Sequence, residues 1–152
     1  MEVSLDPPNQ NLKEFVGHLT QTMQPSCPGS LIIWYDSVTV DGELKYQNQL
    51  MKRTSPFLIY VMRIFCNYSW AEDYPKRFWY VAGDRRFDVY MGIDVWGRGT
   101  YGGGQWKTNV ALDVLKRDDV SAAIFGPGWL YETQQGEDFQ GAQNRYSVKI
   151  LF

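Results

Sequence analysis

Four short runs that are almost entirely apolar, set between helical segments, constrain this chain most. They are Leu31-Ile32-Ile33-Trp34-Tyr35, Ile64-Phe65-Cys66-Asn67-Tyr68, Phe87-Asp88-Val89-Tyr90-Met91-Gly92-Ile93-Asp94 and Ser121-Ala122-Ala123-Ile124-Phe125. A strand with one face in water alternates apolar and polar residues; a continuous apolar run implies that both faces are covered, as in parallel sheets. Before the first run, Leu12, Phe15, Val16, Leu19 and Met23 recur with helical spacing, and Val110, Ala111, Val114 and Leu115 do so between the third and fourth. Strands alternating with helices predict βαβ units and a parallel α/β fold. A closed eight-stranded barrel takes about 250 residues. The 152 residues here are therefore expected to form either a small open α/β domain or half of a barrel.

The ends of the runs help to choose. They finish in Trp34-Tyr35-Asp36-Ser37, Asn67-Tyr68-Ser69-Trp70, Asp94-Val95-Trp96-Gly97-Arg98 and Pro127-Gly128-Trp129-Leu130-Tyr131-Glu132. In a parallel barrel all such tips open onto one face, the face that carries active sites. Aromatic content is 16%, with six Trp and ten Tyr. Rings can fill a core, but they can also accept the apolar face of a sugar while polar neighbours take its hydroxyls. Indoles, amides and carboxylates meeting at one face would suit a saccharide. Each of them could equally cap a strand or pack under a loop.

Other chemistries find less support. The formal net charge is −2 and the basic pairs Arg85-Arg86 and Lys116-Arg117 are isolated, so no nucleic-acid surface is expected. Cys27 and Cys66 lack metal or redox spacing, and His18 is the single histidine; no metal or cofactor is expected. The start of the sequence resembles no signal peptide, and no apolar run is long enough to span a bilayer. A cytosolic protein is the expectation, with the Asn67-Tyr68-Ser69 glycosylation pattern unused. Gly97-Arg98-Gly99-Thr100-Tyr101-Gly102 fits G-x-G-x-x-G, but the following strand ends Ile124-Phe125-Gly126 without the acid a dinucleotide ribose requires. Glycines that permit positive φ in a folded-back loop account for it better. No serine lies in G-x-S-x-G. Glu2 follows the initial Met and reads, by spacing alone, as an ordinary charge near the terminus.

Taken together, LIIWYDSVTVDGELKYQNQL, IFCNYSWAEDYP, FDVYMGIDVWGRGTYGGGQW, AAIFGPGWLYE and AQNR resemble glycoside hydrolase family 85, the endo-β-N-acetylglucosaminidases, and most closely its plant members. The resemblance implies a (β/α)8 barrel. Residues 1–152 would form one partial barrel domain, about strands 4/5 to 8 with their helices, with the N-terminal half absent. It implies hydrolysis of the GlcNAc-β1,4-GlcNAc core of N-linked glycans with retention, the sugar's own acetamido group attacking to give an oxazoline. The family's fourth strand ends in an asparagine, an apolar residue and the catalytic glutamate, which would fall on Glu2. Tyr35 matches the tyrosine near the acetamido group, and Tyr46 and Trp70 match aromatic sugar platforms. Trp34, Asn67, Asp94 and Trp129 complete the expected glycan contacts.

Tyr46 stands where tryptophan is usual. Residues 51–63, 77–80 and 146–152 leave the family pattern, as altered splicing or an altered gene model would make them do. Half a barrel exposes two sheet edges and one bare face, so the isolated chain is expected to be inactive and to self-associate. The alternatives are a non-catalytic glycan-binding unit and an unrelated α/β nucleotide-binding domain.

Overall fold

The structure, a computed structural model, describes residues 10–50, 55–136 and 138–151. Strands β1 (Ile33–Tyr35), β2 (Arg63–Cys66), β3 (Val89–Asp94) and β4 (Ser121–Phe125) form one sheet in the order β1-β2-β3-β4. Every neighbouring pair is parallel, with Tyr35 opposite Phe65, Phe65 opposite Tyr90, and Asp94 opposite Phe125. Helices α1 (Gln10–Ser26), α2 (Tyr74–Ala82), α3 (Thr108–Arg117), α4 (Gly128–Thr133) and α5 (Phe139–Leu151) complete the fold. Consecutive strand order with crossovers of a single hand brings the connecting helices to one side of a sheet. The packing agrees. Val16 of α1, Phe78 of α2 and Ala111, Val114 and Leu115 of α3 share a core with Ile64, Cys66, Val89, Met91 and Ile93. The arrangement is consistent with a barrel wall, and the open-sheet scheme with helices on both faces does not describe it.

Strand parity divides the sheet. Ile64 and Cys66 face the helices; Ile33, Tyr35 and Phe125 on the other face remain exposed. Gly92 sits on that open face because the Phe65 ring lies across it: a Cβ there would come within 2.8 Å of the ring and of the Cys66 carbonyl oxygen. A second, smaller core gathers Val95, Trp129, Leu130, Ala142 and Tyr146 beside β4.

β1 and β2 are shorter than the apolar runs that predict them, and other details differ for local reasons. Phe87 and Asp88 close a 3-10 helix, Gly83–Asp88, instead of opening β3. Asp88 is tied there to Arg63 and to Arg85. The same Arg85 donates to the carbonyls of Leu58, Val61 and Met62, locking the connection before β2 under the N-terminal end of the sheet. The apolar stripe of α1 is narrower than its spacing suggests. Val16 is buried whereas Phe15 is 60% exposed, because Thr20 donates to the Tyr60 carbonyl and fixes which side faces inward. Described residues of the stretches that leave the family pattern belong to the fold: Phe57 and Phe78 are fully buried, and Tyr146 lies in the second core.

Candidate active site

The site forms where the C-terminal ends of all four strands meet. Tyr35 ends β1, Phe65 and Tyr68 lie at the end of β2, Arg98 follows β3 and Phe125 ends β4. These five line a cavity of about 460 Å³. Tyr68 and Phe125 stack with ring centres 6.0 Å apart, and Tyr35 meets Phe65 edge-on at 5.4 Å. The Arg98 guanidinium lies 5.8 Å from the Phe125 ring centre. The walls are thus mostly ring faces, with one cation and the phenols of Tyr35 and Tyr68 among them.

A tight turn carries Tyr46 to this rim. After β1 the chain doubles back, with Thr39 N–H donating to Glu43 O and Lys45 N–H to Ser37 O. This brings the exposed Tyr46 ring to 5.6 Å from Tyr35. The Tyr35 hydroxyl donates to Asn67 Oδ1 at 2.7 Å, and Asn67 Nδ2 donates to Asn48 Oδ1 at 2.7 Å. The Asn67 amide is therefore occupied at both ends and nearly buried, a poor acceptor for glycosylation in the folded chain. Burial, then the nearby Asp36 charge and the Tyr46 and Tyr68 rings, push the Tyr35 hydroxyl up to about 12. Tyr35 consequently keeps its proton across the physiological range.

Asp94 is fully buried, and its carboxylate organises the glycine loop. It accepts from the backbone N–H groups of Trp96 and Arg98 and, at 2.8 Å and 3.2 Å, from the Arg98 guanidinium. Burial acts to raise its pKa, but the Arg98 guanidinium and those N–H groups outweigh burial and hold it below the usual carboxylate value. Gly97, Gly99 and Gly102 all have positive φ, and the loop turns back so closely that a side chain at Gly97 would meet the Gly103 carbonyl. The G-x-G-x-x-G pattern is thus spent on the turn that presents Arg98.

The profile of the family described as "Glycosyl hydrolase family 85" matches residues 1–150. The chain belongs to glycosyl hydrolase family 85. It is 61% identical over 136 residues to Cytosolic endo-beta-N-acetylglucosaminidase 1 of Arabidopsis thaliana, a match covering 90% of this chain and 20% of that protein. It is 59% identical over 136 residues to Cytosolic endo-beta-N-acetylglucosaminidase 2 of the same plant, covering 90% of this chain and 19% of that protein. The human Cytosolic endo-beta-N-acetylglucosaminidase is 38% identical over 136 residues, 90% of this chain and 18% of its own length. The chain spans about a fifth of the length of these curated relatives.

The residues expected to contact a glycan fall into three groups. Tyr35, Tyr46 and Asn67 come together at the rim. Asp94 lies behind it, every contact of its carboxylate made within its own loop. The three tryptophans point elsewhere. Trp34 alternates with Tyr35 to the helix side and stacks on Phe57 at 4.5 Å. Trp70 stacks on Tyr101 and donates its indole N–H to Gly92 O, leaving 3% exposed. Trp129 is 4% exposed and meets Trp106 edge-on at 5.6 Å. Glu2 lies outside the described residues.

Phe65, Tyr68, Arg98 and Phe125 line the cavity without having been singled out. Parity across parallel register was the available signal for Phe65 and Phe125, each on the face shared with Tyr35. Asn48 was hidden because it arrives through the turn after β1. Among the described residues no cluster of His, Cys, Asp or Glu is suited to a metal ion, and no helix is long and apolar enough to cross a membrane.

Proposed function

We propose that the chain carries part of the glycan site of a cytosolic endo-β-N-acetylglucosaminidase, the activity and location named for its relatives, and that its four strands are strands five to eight of a (β/α)8 barrel. The observation that carries the reading is the cavity at the strand tips, walled by Tyr35, Phe65, Tyr68 and Phe125, with the Tyr35–Asn67–Asn48 hydrogen-bond chain on its rim. Ring faces suit the apolar side of a pyranose; the phenol and amides suit its hydroxyl and acetamido groups. The substrate is the chitobiose core of N-linked glycans, and neither metal nor cofactor is needed.

In the proposed reaction the 2-acetamido oxygen attacks the anomeric carbon as the glycosidic bond breaks, giving an oxazolinium ion, the protonated oxazoline, which keeps the acetamido N–H. Glu2 protonates the departing oxygen, then takes a proton from the water that opens the ring. Tyr35, always protonated, can accept from the acetamido N–H while donating to Asn67. Tyr46, Arg98 and Phe125 contact the glycan at the rim. Trp34, Trp70, Asp94 and Trp129 serve from beneath it, through the rings and loop they support.

One observation favours a second reading, glycan binding by these residues without turnover. Among the described strands β1 and β4 each pair on one side only, and the face bearing Tyr35 is uncovered. Such edges favour self-association. Titrating the purified chain with a high-mannose glycan, while assaying its release from a glycopeptide, separates the possibilities. Saturable binding without release supports the second reading; binding with release by a folded monomer supports the first. Absence of binding overturns both.

A further inference from the structure

Arg98 is the single charged residue among the five described residues that line the cavity, and the glycine loop fixes it there. Gly97 and Gly99, on either side of it, both hold φ at 80°. The Arg98 backbone N–H donates to Asp94 Oδ2 at 3.0 Å. Its guanidinium donates to the same carboxylate, Nε to Oδ2 at 2.8 Å and Nη2 to Oδ1 at 3.2 Å. Asp94 is fully buried, whereas the Arg98 side chain is 59% exposed. A guanidinium carries its N–H donors in one plane. Asp94 takes those on the Nε–Nη2 edge. The Nη1–Nη2 edge is turned away from the buried carboxylate and has no hydrogen-bond partner among the described residues. Beside it stands a ring wall: the guanidinium carbon is 5.8 Å from the Phe125 ring centre, and Phe125 stacks with Tyr68.

We propose that Arg98 is a specificity-determining residue of the glycan site: the guanidinium edge left free by Asp94 takes two adjacent hydroxyl oxygens of a neutral hexose whose ring lies against Phe125. The proposal deepens the glycan reading and rests on it. A guanidinium edge offers two N–H groups side by side, so it selects a pair of neighbouring oxygens. Charge then decides which oxygens. The Asp94 carboxylate already balances Arg98, and no other described lining residue is charged. A carboxylate or phosphate on the outer edge would face Asp94 across a single guanidinium, and like charges set so close oppose each other. Hydroxyl oxygens meet no such opposition. Because Asp94 holds both the backbone and the side chain of Arg98, little freedom is lost when a sugar arrives. Lysine at this position could still pair with Asp94 but presents no planar pair of donors, so it separates a role in the loop from a role towards the sugar.

The experiment uses the whole chain, a neutral high-mannose glycan carrying the chitobiose core, and inorganic phosphate as a competing anion. Low-temperature nitrogen–proton NMR follows the guanidinium. Saturating glycan shifts the Arg98 Nη signals and slows their exchange with water, while Nε, held by Asp94, stays nearly unmoved. Arg98→Lys weakens glycan binding by about tenfold and Arg98→Gln at least as much, the loss of hydrogen bonds from a charged donor. Both falls exceed what any change in melting temperature explains. Phosphate at matched ionic strength does not displace the glycan. Nη signals that ignore saturating glycan overturn the proposal, as does Arg98→Lys with the parent's affinity or with affinity lost only in step with its melting temperature. Displacement by phosphate, with the Nη signals following the phosphate, makes the edge an anion site and overturns the choice of hydroxyls. A parent that binds no glycan overturns the glycan reading and this contact with it. A parent that binds glycan with unresponsive Nη signals loses this contact alone. Should Arg98→Gln fail to fold because it strands the buried carboxylate, Asp94→Asn combined with Arg98→Gln removes both charges together and shows the same fall in affinity. The Nη signals of the parent decide without any variant.

Discussion

Two groups of aromatic residues, close in sequence only at Phe125 and Trp129, have opposite fates. On the open face of the sheet Tyr35, Tyr46, Phe65, Tyr68 and Phe125 crowd the strand tips, with Tyr46 57% and Phe125 48% exposed. Beside β4, Trp106, Trp129 and Tyr146 close on one another, and the Tyr146 hydroxyl donates to Thr108 within the core. Ring chemistry is common to both. They differ in the element that carries the ring and in where the hydroxyl or indole N–H finds its partner. In the closed group the Tyr146 hydroxyl finds its partner inside the core; the open group links the Tyr35 phenol to side-chain amides at a cavity rim. A tip indole is therefore not a sugar platform merely by standing near a strand end.

The largest expected effect lies in the closed group. Trp129→Ala leaves a hole between Trp106, Leu130 and Tyr146 and should cost about 3–5 kcal/mol of folding stability, measured by chemical denaturation. A loss below about 1 kcal/mol would mean that this group is not a core, and the contrast with the open face would break. Asp94→Asn comes next. It removes the charge that holds Arg98 while keeping the shape, and should cost about 1–3 kcal/mol. Because the native Asp94 pKa is depressed, its contribution is present above the ordinary carboxylate range and fades as pH falls through the lowered value. The stability difference between parent and variant should therefore shrink in acid. A difference independent of pH would sever Arg98 from Asp94 as its anchor.

Much of the frame was readable from residues alone, and the reasons it was readable are physical. Ser121–Phe125 was found with its boundaries because small and branched residues form a continuous run between a helix end and a glycine. The helix beginning at Thr108 was found because its buried residues repeat at helical spacing. The 3-10 segments Ser55–Ile59 and Gly83–Asp88 have no such period, since they owe their shape to Arg85 and its carbonyl partners. Of the expected site residues, Tyr35, Tyr46 and Asn67 meet at one rim and Trp34 turns to the helix side. Neighbouring strand residues point to opposite faces, and a tip motif read as a block ignores the alternation that parts Trp34 from Tyr35.

Gly92→Ala tests the boundary between the two sides. The added methyl would press on Phe65 and on the Cys66 carbonyl, costing about 1–3 kcal/mol through overpacking. The same push tilts the Phe65 ring into the cavity, so glycan affinity should fall with stability. If stability falls and affinity does not, Phe65 is not part of the working wall.

Tyr35→Phe should have the smallest effect on folding and the sharpest meaning. Tyr35 keeps its ring contacts with Phe65 and Tyr46 in the variant and loses only the hydroxyl bonded to Asn67. Tyr35 is exposed enough for water to replace that bond, so the stability change should stay below about 1 kcal/mol. A glycan that takes its acetamido contact from the hydroxyl loses one hydrogen bond, worth about 0.5–1.5 kcal/mol, a fall in affinity of roughly two- to tenfold. The same variant leaves the Trp106–Trp129–Tyr146 group untouched, so near-ultraviolet circular dichroism from that group should not change. Unaltered affinity would move the working polar contact from Tyr35 to another rim residue, with Arg98 next to be tested. A large loss of stability instead would show that the open face is held together by its hydrogen-bond chain as tightly as the closed group is by packing, and the distinction between the two would disappear.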